Sequence, residues 1–432
     1  MTDNPDNPIV VVGAGAAGLL AAIFAARAAA PRRRRVLLLE RTADGGRKIL
    51  ISGGGRCNVL PSALDESRYV TASSPNTLRK LLRMWPLPEQ IRFFEAEVGL
   101  RLVREAETGK LFPEGNRARE VRDRLVALAK RAGATFRGDA LVEDVIPGGR
   151  DWHVVLRTGE TLPAAAVILA TGGLSVPATG SDGTGLAIAR RLGHTVHDTY
   201  PALTPLTAEP PPYGHLAGIS PVVTLEAPPL AGMPGGGKRA FRTTGGFLFT
   251  HRGYSGPAVL DVSHLAVRSR LAGGPRQPIH VQWTALDAAE WERLLTAGGQ
   301  GTVANVVRRQ LPARLADALL AEAGVDDAVT LAHLPRERRR ALVEALTRHP
   351  LPWTGDEGYK KAEVTGGGVA LGEIDPRTME SRLHPGLYLC GEILDAFGPI
   401  GGYNFFFAWA TGRAAGIGAG KEGGTAGGLD VK

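Results

Sequence analysis

Three glycines, Gly13, Gly15 and Gly18, follow the apolar run Ile9 to Val12 and open an alanine-rich stretch. Residues of this type at this spacing suit the binding of an anion. The first glycine turns the chain, the second lets backbone approach a pyrophosphate, and the third lets a helix pack closely on the strand. The helix that follows presents unpaired N–H groups and the positive end of its dipole. Ala14, Ala16 and Ala17 fill the turn, and Glu40 closes the next apolar run, Val36 to Leu39, with Arg41 beside it. A carboxylate there accepts hydrogen bonds from a ribose. The pattern predicts a strand, a helix from about Ala16 to Ala30 and a second strand, a βαβ unit that binds a dinucleotide.

Three further motifs carry chemistry. Residues 45–58, GGRKILISGGGRCN, contain Gly46, Arg47, Lys48, Ser52, Gly53, Gly54, Gly55, Arg56, Cys57 and Asn58. Backbone N–H groups and cations of such a loop suit a phosphate and the edge of an aromatic ring. Cys57 has neither a histidine in its motif nor a second cysteine beside it, so a packing residue is favoured over a nucleophile. The apolar strand AVIL ends in Ala170, Thr171, Gly172 and Gly173, and Val142, on a short alternating run, joins the expected cofactor contacts. The last motif, residues 386–412, sets a strand before Gly391, Glu392 and Asp395, then Gly401, Gly402, Tyr403 and Asn404 at the start of a helix. This resembles the place where flavoproteins close the sheet over ribityl and flavin, with a helix N-terminus facing the pyrimidine edge. The cofactor expected is FAD. Phe405 to Phe407 and Trp409 read as a buried helix face before a substrate cage.

The elements that must position these motifs follow from the rest of the pattern. A chain of 432 residues exceeds one ordinary core, and 44% hydrophobic with 22% charged residues fits a globular protein. Helical stretches are expected at Pro75 to Met84, Pro88 to Val98 and Asn116 to Ala132, and a buried strand at Ala165 to Ala170. Residues 196–285 carry prolines and glycines between short alternating runs, the mark of an antiparallel β module. Residues 286–355 turn helical with Arg-rich faces, and βα alternation resumes from 356. The organisation read is α/β: a discontinuous FAD-binding domain (1–195 and 356–420), an inserted β domain (196–285), a small helical domain (286–355) and a disordered tail (421–432), with the glycine-rich character starting at Gly418.

The formal charge is +8, but the basic residues are spread along the chain, which argues against nucleic acid as a partner. The dense run Arg32 to Arg35 reads as a solvated loop after a helix. Only Cys57 and Cys390 are present, so neither a disulfide framework nor a thiolate metal site is expected, and no metal is assigned. The polar N-terminus and the glycine-broken apolar stretches point to no membrane span and a cytoplasmic location. Oligomeric state is not legible.

The motifs SGGGRCN, TGGLSVPATGSDGTG, FLFTHRGYSGPA, EVTGGGV with TMES, and GE-x-LD followed by GGYN resemble the YhiN/BaiN-like flavoprotein family, some of whose members are labelled aminoacetone oxidases. The resemblance runs from about residue 8 to 417. It implies a glutathione-reductase-like Rossmann domain with non-covalent FAD, an inserted β-barrel domain and a small helical domain. The sequence departs from the usual pattern at Ala396 to Ile400 and at the FFFAW stretch, so family substrates are not carried over.

The activity expected is hydride transfer between flavin N5 and a small organic substrate bound between the FAD and β domains. Both an oxidase of a small amine and an NAD(P)H-dependent reductase fit. No second G-x-G-x-x-G follows a strand, so NAD(P)H enters as a transient reductant, and the GSDGTG stretch reads as an extension of the FAD site. His251, Tyr254 and Tyr403 are the catalytic candidates; His251, with Arg252 and Ser255 nearby, suits a proton shuttle or a turn-fixing histidine equally. Lys360, Lys361 and Glu363 read as structural. A tRNA-modifying flavoprotein and a non-catalytic flavin redox sensor are the alternatives.

Overall fold

The computed structural model describes residues 7–149, 151–230, 232–233, 239–299 and 301–421. Its contacts divide the chain into two units, residues 1–199 with 364–432, and residues 200–363.

The first unit is built on a parallel sheet. Strand β1 (Ile9–Val12) leads through the glycine turn to helix α1 (Ala16–Ala29) and then β2 (Val36–Leu39). A short helix α2 (Arg47–Ile51) lies in the glycine loop, and α3 (Ala118–Arg131) returns to β3 (Ala134–Arg137). Beyond them come β4 (Ala166–Leu169), α4 (Thr184–Arg191), β5 (Val364–Val369), β6 (Leu387–Leu389) and α5 (Tyr403–Lys421). The strand order is β6-β4-β1-β2-β3, and all four pairings are parallel. β1 and β4 are buried at every position, as a sheet covered on both faces requires.

Helix α1 is almost wholly buried because α5 lies across it. Gly412 and Gly416, four residues apart on α5, make that approach possible. A Cβ at Gly412 would sit 2.3 Å from Ala17 O, and one at Gly416 would sit 2.4 Å from Ala21 O. Small residues on both helices replace side-chain packing by backbone contact. α5 therefore continues to Lys421, through the stretch from Gly418 that sequence composition assigned to a disordered tail; residues 422–432 of that tail lie outside the described residues.

The second unit holds two four-stranded antiparallel sheets. One orders the strands Leu248–Thr250, Gly253–Ser255, Leu206–Thr207 and Gly355–Asp356; the other orders Phe241–Gly246, Val222–Ala227, His280–Gln282 and His349–Pro350. Helices Ala288–Thr296, Val303–Arg308, Ala313–Glu322 and Arg336–Thr347 follow, and one hydrophobic cluster, with Phe249, Trp283, Trp291 and Leu342 among its members, runs through strands and helices alike. A helix the sequence reading missed, Pro257–Leu271, sits inside the strand-rich segment. It is buried at nearly every position from Ala258 to Ser269, so it has no polar stripe to reveal a helical period. No helix among the described residues is long and apolar enough to cross a membrane.

Candidate functional site

Chain connectivity reverses at β1. β2 and β3 lie on one side of it and β4 and β6 on the other, so the carboxyl ends of β1 and β4 border the crevice where open α/β sheets hold ligands. Gly13 follows β1 at φ +99°, its N–H donating to Leu39 O at 2.8 Å, and a Cβ on it would lie 2.7 Å from Ala170 O. A Cβ on Gly18 would lie 1.8 Å from Gly13 O. Packing requires glycine at both positions. Gly15 differs, because its φ is −76° and a Cβ there would meet nothing within 4 Å. No side chain caps α1 at Gly15 and no acid stands in its first turn. The amides of Ala16 and Ala17 thus belong to an uncapped helix start with free space over Gly15, which fits a pyrophosphate.

Glu40 is buried at the end of β2. Its Oε2 accepts from Ala14 N–H at 2.8 Å, and its Oε1 accepts from Thr42 N–H at 3.0 Å and Thr42 Oγ1 at 2.9 Å. An ionised carboxylate offers about four acceptor sites. One holds the glycine turn at Ala14 and two hold Thr42, which leaves room for a ribose hydroxyl.

The loop cations all find carboxylates. Arg41 Nη1 lies 2.6 Å from Asp182, Arg47 lies 3.4 Å from Asp44, and Arg56 lies 2.9 Å from Glu105 with its guanidinium 4.2 Å from the Phe112 ring centroid. Arg41 also donates to Gly180 O, tying the end of β2 to the GSDGTG turn. Gly46, Gly53, Gly54 and Gly55 all take positive φ; Ser52 Oγ donates to Ile49 O. Cys57 is fully buried, and desolvation pushes its thiol up to about 12. It is a packing residue, inert as a nucleophile at neutral pH. Val142 is likewise buried, at the start of the strand Val142–Gly148.

Lys48 joins residues from distant parts of the chain. Its Nζ donates to Ser175 Oγ and to Glu392 Oε2, each at 2.7 Å. Ser175 Oγ donates to Glu392 Oε1 at 2.6 Å, and the same oxygen accepts from Thr365 N–H at 3.0 Å. Thr365 Oγ1 accepts from the amides of Leu174 and Ser175, and a Cβ on Gly173 would lie 2.4 Å from it. Sequence reasoning named Lys48, Gly173 and Glu392 but not Ser175 or Thr365. The signal available was only that both fall in the motifs TGGLSVPATG and EVTGGGV.

The residues after β6 are placed by packing. Gly391 N–H donates to Thr411 Oγ1 at 3.0 Å, and a Cβ on Gly391 would press on Ala17 Cβ at 2.7 Å. Asp395 is buried, and its Oδ2 accepts from the amides of Ala72 and Ser73 and the hydroxyls of Thr71 and Ser73. Burial raises its pKa, opposed by those hydrogen bonds and by His197. This carboxylate holds the turn at residues 71–73. Gly401 and Gly402 have positive φ, and with the Asn58 amide set by its neighbours, Gly402 N–H donates to Asn58 at 3.0 Å. Asn404 bonds both main-chain groups of Gly398. Thr171 Oγ1 is buried and lacks a hydrogen-bond partner among the described residues.

The catalytic candidates fall in different units. Tyr403 is buried against Tyr69, its hydroxyl 3.3 Å from Asp65 N and 3.4 Å from Ala63 O. Tyr254 lies fully buried among Phe247 and Phe249, where desolvation raises its pKa. His251 is exposed in the turn before Gly253–Ser255. Phe406 and Trp409 are fully buried and Phe407 nearly so, making the aromatic run a helix face in the core.

A separate cluster has the connectivity of a hydrolytic triad. Ser381 Oγ lies 3.0 Å from His194 Nε2, and His194 Nδ1 lies 2.9 Å from Glu373 Oε2. The hydroxyl, however, accepts from the amides of Leu383 and His384, and Ser381 and His194 are both buried. With both lone pairs engaged, Ser381 fixes a turn.

An acid beyond the second strand and an open helix start at the switch point place the first unit among Rossmann-type dinucleotide-binding proteins. Comparison with known families narrows the class. Residues 7–418 match the model described as HI0933-like protein Rossmann domain, and the chain belongs to that family, the YhiN/BaiN-like flavoproteins. It is 34% identical over 411 residues to a ribosomal RNA dihydrouridine synthase of Escherichia coli, covering 93% of this chain and 95% of that protein. It is 32% identical over 383 residues to a 3-dehydro-bile acid delta(4,6)-reductase of Clostridium scindens, covering 87% and 90%. Among solved structures, a 3-ketosteroid-delta4-(5alpha)-dehydrogenase from Rhodococcus jostii matches with TM-score 0.49 and 15% identity over 96% of this chain and 97% of that one.

Proposed function

We propose that this chain binds FAD non-covalently in its first unit and reduces a carbon–carbon double bond conjugated to a carbonyl. The observation that carries the cofactor is the uncapped start of α1, with open space over Gly15 at the switch point and Glu40 at the end of β2. The reaction class rests on the two relatives. A dienone of a bile acid and the uracil ring of RNA share one electronic feature, an alkene polarised by a carbonyl. This favours the reductase direction over amine oxidation.

In such a site FAD, once reduced by the nicotinamide, would supply the hydride, and the protein supplies position and electrostatics. The amides at the start of α1 bind the pyrophosphate, and Glu40 takes a ribose hydroxyl while keeping its hold on Ala14. Arg41, Arg47 and Arg56 sit in partly exposed ion pairs worth about 0–1 kcal/mol each, so their rearrangement around an anion costs little. NAD(P)H is the proposed transient reductant.

The substrate is proposed to be a small enone. The relative named a ribosomal RNA dihydrouridine synthase supports a second reading, in which the alkene is a uracil of structured RNA. Anaerobic stopped-flow absorbance tests the function. The flavin band near 450 nm should bleach with NADH or NADPH and return on adding a steroid dienone or unmodified ribosomal RNA, whichever is the substrate. Bleaching by neither nicotinamide, with rapid reoxidation of photoreduced protein by oxygen alone, would refute the reductase reading.

A further inference from the structure

The geometry points to Lys48, Ser175 and Glu392 as the electrostatic control of the flavin end of the site, an assignment that rests on the FAD reading above. The direction in which the cofactor lies follows from strand order. With the pyrophosphate on α1 after β1 and the ribose on Glu40 after β2, the adenosine half occupies the β2 side. The flavin half must then run the other way, across the ends of β4 and β6. That is where the triangle stands: Ser175 follows β4, Glu392 follows β6, and Lys48 reaches both from α2.

The triangle is built to hold one charge still. Lysine side chains ordinarily carry a large rotamer freedom. Here two of the three ammonium donors are fixed at 2.7 Å by partners that are themselves tied to Thr365 and to each other. The third donor has no partner among the described residues, and the Lys48 side chain remains 26% exposed with Glu392 at 18%. An ammonium with one donor free, beyond the strand ends on the flavin side, stabilises the negative charge that accompanies two-electron reduction of the ring. Glu392 is the positioning residue: it orients the ammonium and offsets part of its charge.

Two opposite shifts are expected in one observable, the midpoint potential of bound FAD, measured by dye equilibration on the full chain at fixed pH. Lys48→Met should lower the potential, binding reduced FAD at least tenfold more weakly relative to oxidised FAD, about 30 mV for a two-electron couple. Lys48→Arg should restore most of the loss. Glu392→Gln, which leaves the ammonium uncompensated, should raise the potential. A role confined to tying loops together would move neither value, or both in the same direction. If FAD binds but Lys48→Met and Glu392→Gln leave the potential unchanged or shift it together, the proposal is overturned and the FAD reading stands. A wild-type chain that takes up no FAD overturns both. Should Lys48→Met fail to fold, the sign of the Glu392→Gln shift decides alone.

Discussion

Gly15 and Gly18 stand three residues apart in one turn, yet the structure assigns them different physical roles, and alanine at each should separate those roles. At Gly18 a methyl would lie 1.8 Å from Gly13 O, so strand and helix must move apart. Overpacking of this kind costs about 1–3 kcal/mol or more. At Gly15 a methyl would meet nothing within 4 Å, and φ of −76° suits any residue. Alanine as an N-cap costs on the order of 1 kcal/mol, and reduced freedom of the unfolded chain returns about 0.4–1 kcal/mol. Gly15→Ala should therefore fold with nearly wild-type stability. Its methyl would still occupy the space through which a phosphate reaches the amides, and losing one charge-assisted hydrogen bond is worth about 1.5–3 kcal/mol. FAD affinity should fall roughly ten- to hundredfold. Urea denaturation of the apo-protein and calorimetric titration with FAD measure the two quantities. Gly15→Ala binding FAD as tightly as wild type would refute the placement of the pyrophosphate, and a stability loss equal to that of Gly18→Ala would refute the reading of the turn.

Other expectations follow from the same geometry. Gly416→Ala forces a methyl within 2.4 Å of Ala21 O and should cost about 1–3 kcal/mol in urea denaturation, with no special loss of FAD affinity beyond that of stability. Cys57 keeps its proton in the folded state up to about 12, while an unfolded thiol ionises from its ordinary 9.0, so its contribution to stability is present below pH 9 and declines between 9 and 12. Thiol titration with an aromatic disulfide at pH 8 should accordingly find neither cysteine in the native chain and both in denaturant. Burial lowers the pKa of His194 below 6.5, so its contribution is present above that pH and lost as pH falls through the lowered value. Denaturation at pH 7 and pH 5 should show that loss, and His194→Gln should reduce the difference.

The parts of the molecule legible in the sequence are those whose physics is local. The βαβ start, Glu40 and the closing strand and helix follow from apolar runs, a glycine turn and an acid within a few dozen residues. The helix Pro257–Leu271 was hidden because burial all round erases the period that reveals a helix. The extension of α5 to Lys421 was hidden because glycine reads as a breaker unless a partner helix is close enough to require it, as α1 is at Gly412 and Gly416. Lys48 and Glu392, 344 residues apart, were each singled out, but for contact with a cofactor instead of with each other. Their pairing, and the place of Ser175 between them, depends on the adjacency of β4 and β6, which no local pattern encodes. Asp395 shows the converse, since its place after a strand suggested a ligand contact while its carboxylate holds the turn at residues 71–73.

The proposed cofactor is one FAD, bound non-covalently across the ends of β1 and β4. The most direct test is to purify the chain with FAD present, remove the excess, denature the protein, and identify and quantify the released chromophore by absorbance and mass spectrometry. FAD should be released in full, at one per chain, with a large loss of that content in Gly15→Ala. A chain that retains no flavin, or one whose flavin content is indifferent to Gly15→Ala, would contradict it.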